Sequence, residues 1–286
     1  MINFCHIAPT STLKTFCIGR SFHLALAHLI ETDDEYTQFY RTEKQTNDCT
    51  IIMDNSAFEM YKQGREMYPS NKLIEMGNKI RADYIVMSDY PGQASKVTIQ
   101  AAQNMAPQLK AAGFGTFFVP QSEEGDIQDY LGAYEWAADN PDLVDYIGVS
   151  ILGAPLAFGV ERDNKLQRFM SRWEVMRLLE QRGTLERIRN NGQKIHFLGM
   201  VDGPKEIALV QKYHDYINTW DSSAAIWAGL NGVSFDSSPT GLINGKFEQE
   251  VDFNYIMPED SNNCVNELLI TLRNINVINE MCGEPV

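Results

Sequence analysis

The stretch Thr50-Ile51-Ile52-Met53-Asp54-Asn55-Ser56 runs four apolar or β-branched residues directly into three polar ones, and the same pattern recurs along the chain. Val86-Met87 leads into Ser88-Asp89, Phe118-Val119 into Pro120-Gln121-Ser122, and Thr219-Trp220 into Asp221-Ser222-Ser223. Ile147-Gly148-Val149-Ser150 and Phe197-Leu198-Gly199-Met200-Val201-Asp202-Gly203 are further instances. Short apolar runs that stop at turn residues are the mark of strands buried on both faces, as in a parallel sheet. The strand candidates are 3–7, 50–53, 84–87, 116–119, 146–151, 195–200, 217–220 and 232–235. Helical spacing fills the intervals at 21–31, 71–82, 94–113, 126–138, 164–183 and 204–215, with Gly113 and Gly183 at C-cap positions. This alternation predicts an α/β fold, a (β/α)8 TIM-type barrel, with a doubly wound open sheet as the alternative. At 286 residues without a repeat or low-complexity linker, the chain reads as a single domain, 1–286. An irregular, extended surface segment at 242–263 precedes a last amphipathic helix at 265–281, expected to close the outer ring.

With 44% hydrophobic and 22% charged residues, the chain can bury a sizeable core and is not disordered. Its net charge of −14 argues against a protein that coats nucleic acid along a broad basic surface. The charge is uneven, however. The basic helical crossover 162–194 carries nine Lys/Arg against four acids, a net of +5, whereas 236–286 stands at −7. Arg162, Lys165, Arg168 and Arg172 fall at helical spacing that can present one basic face to a phosphate backbone; a salt-bridged, solvated helix is the commoner outcome of such a pattern. Phe169 and Trp173 mark the core side of that helix. No apolar run is long enough for a membrane span and the N-terminus lacks a signal pattern. Cys5, Cys17, Cys49, Cys264 and Cys282 are scattered, without a CxxC pair. The expectation is a cytoplasmic protein with free thiols and no membrane partner.

In a barrel, function belongs to the C-terminal strand ends, and there Asp54, Asp89 and Asp221 each follow an apolar run. One such Asp is as readily a helix cap or an Asx turn. Three on one rim form a carboxylate cluster whose members can hold different protonation states. Gln121 offers an acceptor and two donors, suited to the edge of a planar heterocycle, although alone it reads as a solvated loop residue. Gly148 either lets a ligand approach the backbone or is required for packing.

The five histidines form no HxH or HExxH, so no metal is expected; His6 reads as a core histidine and His196 sits on a strand. Neither GxSxG nor GxxxxGK[ST] occurs, which disfavours serine hydrolase and NTPase chemistry. A phosphate at the helix following Leu198-Gly199-Met200-Val201-Asp202-Gly203 would meet repulsion from Asp202.

Taken in order, these clusters resemble the tRNA-guanine transglycosylase superfamily, in particular its DNA-acting 7-deazaguanine and base-excising branch. Asp54-Asn55-Ser56-Ala57-Phe58-Glu59 is similar to the family's Asp-Ser-Gly-Gly-Phe-Gln segment, with Asn55 and Phe58 beside the base. Asp89 and Val119-Pro120-Gln121 resemble its base-reading residues, Ile147-Gly148-Val149-Ser150 its glycine-bearing recognition strand, and Thr219-Trp220-Asp221-Ser222 the segment with its nucleophile. The resemblance spans about residues 50 to 236, and order and spacing carry it more than identity.

The resemblance implies cleavage of a base–sugar N-glycosidic bond without a cofactor. Asp221 would attack C1′ of a flipped-out nucleotide, and Asp54 would serve as general acid and base. Asp89, Gln121 and the Gly148 backbone would hold the heterocycle. The family's Cys-rich zinc subdomain has no counterpart, Ser122-Glu123 stand where it has paired glycines, and Ser56-Ala57 replace another pair. These departures favour a DNA-directed member over a tRNA enzyme. Its outcome is exchange of a base for a free 7-deazaguanine, which would protect DNA from restriction, or hydrolytic excision of a modified base, a defence against phage. A non-catalytic nucleic-acid or nucleoside binding protein is the reading from outside enzymes.

Overall fold

The computed structural model describes residues 1–161, 164–201, 203–235, 250–257 and 262–284. Its strands are β1 (Asn3–His6), β2 (Phe22–Leu26), β3 (Thr50–Asp54), β4 (Tyr84–Val86), β5 (Gly115–Phe118), β6 (Tyr146–Ser150), β7 (Lys194–Leu198) and β8 (Ile217–Ser222). The helices are α1 (Leu13–Phe16), α2 (Ala27–Thr32), α3 (Asp34–Asn47), α4 (Ala57–Gln63), α5 (Ser70–Ile80), α6 (Ser95–Ala111), α7 (Ile127–Asp139), α8 (Gly153–Ala157), α9 (Lys165–Gln181), α10 (Thr184–Asn190), α11 (Lys205–Leu209), α12 (Ala224–Leu230) and α13 (Asn262–Cys282).

Among the described residues all strand pairings are parallel, in the order β1-β8-β7-β6-β5-β4-β3-β2, so the sheet curls into a nearly closed (β/α)8 barrel. At the seam between β1 and β2 the Leu24 N–H donates to the Cys5 sulfur, with N···Sγ at 3.0 Å, rather than to a backbone carbonyl. Burial pushes the Cys5 thiol well above its ordinary range, which keeps it an inert, apolar seam filler.

Three expectations are corrected. Residues 21–31 are not one helix: β2 occupies the first half and α2 the second. All five β2 residues are buried, so both faces are apolar and the alternation that separates strand from helix is absent. Pairing of Phe22 through Leu26 with Thr50 through Asp54 supplies the strand. Residues 232–235 are not a strand. The amide of Phe235 donates to Asn274 Oδ1 at 2.9 Å, and Asn274 Nδ2 donates to the Val233 carbonyl at 2.9 Å, so a buried side chain on α13 takes the bonds a ladder would have made. The predicted helix at 204–215 is shorter, α11 being followed by a 3-10 turn at Gln211–Tyr213.

The last helix, α13, packs on α12 and β1, and its Asn279 Oδ1 meets His6 Nε2 at 2.9 Å. Of the expected extended segment 242–263, residues 250–257 are described as irregular chain, and 242–249 and 258–261 lie outside the described residues. Phe253 rests edge-on to the His28 ring at 5.8 Å, and Tyr255 edge-on to Trp227 at 5.9 Å. Among the described residues no helix is long and apolar enough to cross a membrane.

Candidate active site

Parallel strands deliver all their C-terminal ends to one rim. Asp54 closes β3 and Asp221 lies near the end of β8, while Asp89 and Gln121 follow β4 and β5. Three of these four, Asp89, Gln121 and Asp221, are buried at 4%, 2% and 5% exposure, so any charge there must be met by protein groups.

For Asp221 they are two N–H donors. His196 Nε2 lies 2.8 Å and the Gly199 amide 3.2 Å from its Oδ1. The other imidazole nitrogen, Nδ1, meets the Thr219 hydroxyl at 2.7 Å. Thr219 and Asp221 are two residues apart on β8, hence on one face of the strand, and β7 brings His196 alongside. Gly199 adopts a φ of 69°, a left-handed conformation open to glycine, and its carbonyl accepts from Trp220 Nε1 at 2.7 Å and Arg172 Nη2 at 2.9 Å. The Leu198 carbonyl, which shares a peptide unit with the Gly199 N–H, accepts from Arg172 Nη1 at 2.9 Å, so that unit is held with its N–H toward Asp221.

Asp54 stands in the opposite situation. Burial pushes its carboxyl well above the ordinary range, the neighbouring Glu59 pushes the same way, and the Asp89 and Asp221 charges add to it. The Ser56 amide, donating to Asp54 Oδ2 at 2.9 Å, opposes the shift without reversing it. Ser56 itself has a φ of 57°, unusual for a residue with a Cβ. Its hydroxyl is held by the His28 amide at 3.1 Å and His28 Nδ1 at 2.9 Å, which braces the tight turn from β3 into α4.

Asp89 accepts from Asn55 Nδ2 at 2.8 Å on one oxygen and from Gln121 Nε2 at 2.6 Å on the other. Burial raises its carboxyl to about 6, and the two amides restrain the rise. Gln121 Oε1 has no partner although it is buried, an open acceptor of the kind a ligand N–H would fill. Phe58, on α4, is 37% exposed at this rim, with the Lys62 ammonium 5.0 Å from its ring centre.

Of the two readings of Gly148, the structure carries the packing one. A Cβ there would lie 2.8 Å from Phe117 Cε2 and from Leu198 Cδ1, and the Gly148 carbonyl already accepts from Tyr134 Oη at 3.0 Å. The basic face also needs correction. Arg172 is fully buried: it donates to both oxygens of Glu206 and to the carbonyls of Val149, Leu198 and Gly199, so it cannot reach a phosphate backbone. Farther along, Arg177 pairs with Glu174, Arg182 with Glu135, Arg187 with Asp139 and Arg189 with Glu186. Arg172, Arg182 and Arg187 thus meet acids from outside 162–194, which offsets three of the five excess positive charges. Arg168 is half-buried in the first turns of α9; Arg162 and the side chain of Lys165 lie outside the described residues, as does Asp202.

Sequence reasoning missed His196, Thr219, Glu59 and the His28–Ser56 contact as parts of the site. Only the i, i+2 spacing of Thr219 and Asp221 was there to be read. A cavity of about 210 Å³ lined by Leu185, Gln193, Asp215 and Tyr216 opens beside the N-terminal ends of β7 and β8, the end of a barrel that serves stability, so the buried polar cluster rather than that cavity marks the site. Among the described residues no group of three or more His, Cys, Asp and Glu is placed to hold a metal ion. No protein-family model matches the chain, and no curated protein does.

Proposed function

We propose that this protein is an enzyme that breaks a base–sugar N-glycosidic bond in nucleic acid, DNA in the first instance, and exchanges the base for a free 7-deazaguanine through an aspartyl glycosyl intermediate. The observation that carries the reading is the unequal surroundings of two carboxylates on one rim. Asp221 receives two N–H donors on one oxygen, whereas burial and the Glu59 charge favour the protonated form of Asp54. One is suited to attack and the other to give up a proton.

In the first half-reaction Asp221 attacks C1′ of an extruded nucleotide, the C1′–N bond breaks, and the departing base takes the proton of Asp54. In the second, the incoming base returns a proton to Asp54 and its nitrogen displaces Asp221 from C1′. The same two-carboxylate logic operates in retaining glycoside hydrolysis. Asp89, with Asn55 and Gln121 on its oxygens, forms the polar wall for the heterocycle, and Gln121 Oε1 accepts an N–H from it. The exposed ring of Phe58 supplies a stacking surface at the rim.

The test is to incubate the protein with modified and unmodified phage DNA, with and without a labelled free 7-deazaguanine. Label in the DNA is the expected result. Alkali-labile breaks without label would replace exchange by hydrolytic excision through the same intermediate. Binding of DNA or free base without turnover would leave a binding protein, and neither turnover nor binding would overturn the reading.

A further inference from the structure

We infer that His196 is a positioning residue for Asp221: with the Gly199 amide it selects which carboxylate oxygen faces the substrate. The inference rests on the reading of Asp221 as nucleophile.

His196 cannot touch a substrate. It is fully buried in the barrel lumen, with its ring centre 5.9 Å from that of Phe22 on β2 and 5.4 Å from that of Phe117 on β5. Anything it does at the rim must pass through its neighbours. A carboxylate only accepts, so the nitrogen 2.8 Å from Asp221 Oδ1, Nε2, carries a hydrogen toward it. Nδ1 is then free to accept from the Thr219 hydroxyl at 2.7 Å, and the chain Thr219–His196–Asp221 has one direction throughout.

The Gly199 amide reaches the same oxygen, Oδ1, at 3.2 Å. Both donors therefore converge on one side of the carboxylate. Among the described residues no hydrogen bond is made to Oδ2, and the side chain keeps a small exposure. With Oδ1 taken by both donors, Oδ2 is the oxygen left to meet a substrate. Holding a nucleophile in a near-attack orientation is a recognised source of rate, and a misplacement of about 1 Å can cost about 100-fold.

The test compares His196→Leu, which has no donor, with His196→Gln, whose amide can return one. At matched folding, checked by thermal melting, His196→Leu is expected to lower kcat about 100-fold with KM for the nucleic acid within about twofold. His196→Gln should recover about tenfold of the loss. Equal losses in kcat and KM with no recovery by glutamine would overturn the inference.

Should either lumen variant fail to fold, Thr219→Val and ¹⁵N-histidine NMR of the whole chain decide the matter. A hydrogen on Nε2, with a resonance that moves in Asp221→Asn, is expected; a hydrogen confined to Nδ1 would refute the inference even with no substrate in hand. Failure of the underlying reading looks different: Asp221→Asn would then retain turnover, whatever His196→Leu does.

Discussion

Arg172 donates to both oxygens of Glu206, Nε to Oε1 at 2.7 Å and Nη2 to Oε2 at 2.6 Å, and neither side chain is exposed. The guanidinium also lies 4.8 Å and 5.2 Å from the ring centres of Phe197 and Trp220. One buried cation thus ties α9 to the ends of β6 and β7, and the Leu198–Gly199 peptide it holds by the Leu198 carbonyl is the one whose N–H points at Asp221. Removing one partner of such a pair strands the other charge in the interior. Arg172→Met is therefore expected to lower unfolding free energy by about 3–5 kcal/mol, read from chemical denaturation. Arg172→Met with Glu206→Leu should recover part of that loss, and a single variant as stable as the parent would refute the account.

The turn at Ser56 holds a non-glycine residue in the left-handed region, braced by two bonds to His28. Ser56→Ala keeps the strain and deletes both bonds, including the partner of the His28 amide, at an expected cost of about 1–3 kcal/mol. Ser56→Gly removes the strain as well as the bonds, and should be about 1 kcal/mol more stable than the alanine variant. Equal stability of the two would show that the backbone there is not strained.

Gly148 faces Phe117 and Leu198 at distances no Cβ tolerates without movement. Gly148→Ala should cost about 1–3 kcal/mol by overpacking, seen as a lower melting temperature without any ligand present. If the alanine protein melts like the parent and fails only in base binding, Gly148 serves the ligand instead.

The carboxyl of Asp89 is raised by burial to about 6, against an unfolded value of about 3.9. Between these values the folded protein keeps a proton that the unfolded chain has released. The stabilisation this gives is complete below about pH 4 and is lost as pH rises to about 6, at most about 1.4 kcal/mol per unit. The stability of the parent minus that of Asp89→Asn should therefore decline across this window and be level on either side. Denaturation curves at stepwise pH test this, and a difference that rises with pH would reverse the assignment.

The substitution Asp54→Asn keeps an amide donor in place of an acid but cannot exchange a proton. Under the proposed reaction it should lower kcat by about 100-fold or more with little change in affinity for DNA. Unchanged turnover would remove Asp54 from the chemistry.

Much of the barrel was legible because its strands end abruptly: Ile52-Met53 before Asp54, Val86-Met87 before Asp89 and Trp220 before Asp221 each mark a strand end in one dimension. The strand at Phe22–Leu26 was not legible. With every residue of it buried, helix and strand patterns coincide, and only pairing with β3 distinguishes them. The basic helix misled for a related reason. Spacing along α9 says which residues share a face, but not that Arg172 turns inward to meet Glu206, which is 34 residues away in sequence.

By itself the amino-acid sequence determined the alternation of strands and helices and the set of polar residues that the strand ends carry, because both are properties of neighbours along the chain. Tertiary structure alone decided the state of those residues. His196 meets Asp221 only because β7 lies beside β8, Gln121 meets Asp89 only because β5 lies beside β4, and Asp54 is raised first by burial, then by the charge of nearby Glu59 and those of distant Asp89 and Asp221. Burial and partner identity set protonation and orientation, and both arise only when distant parts of the chain pack together.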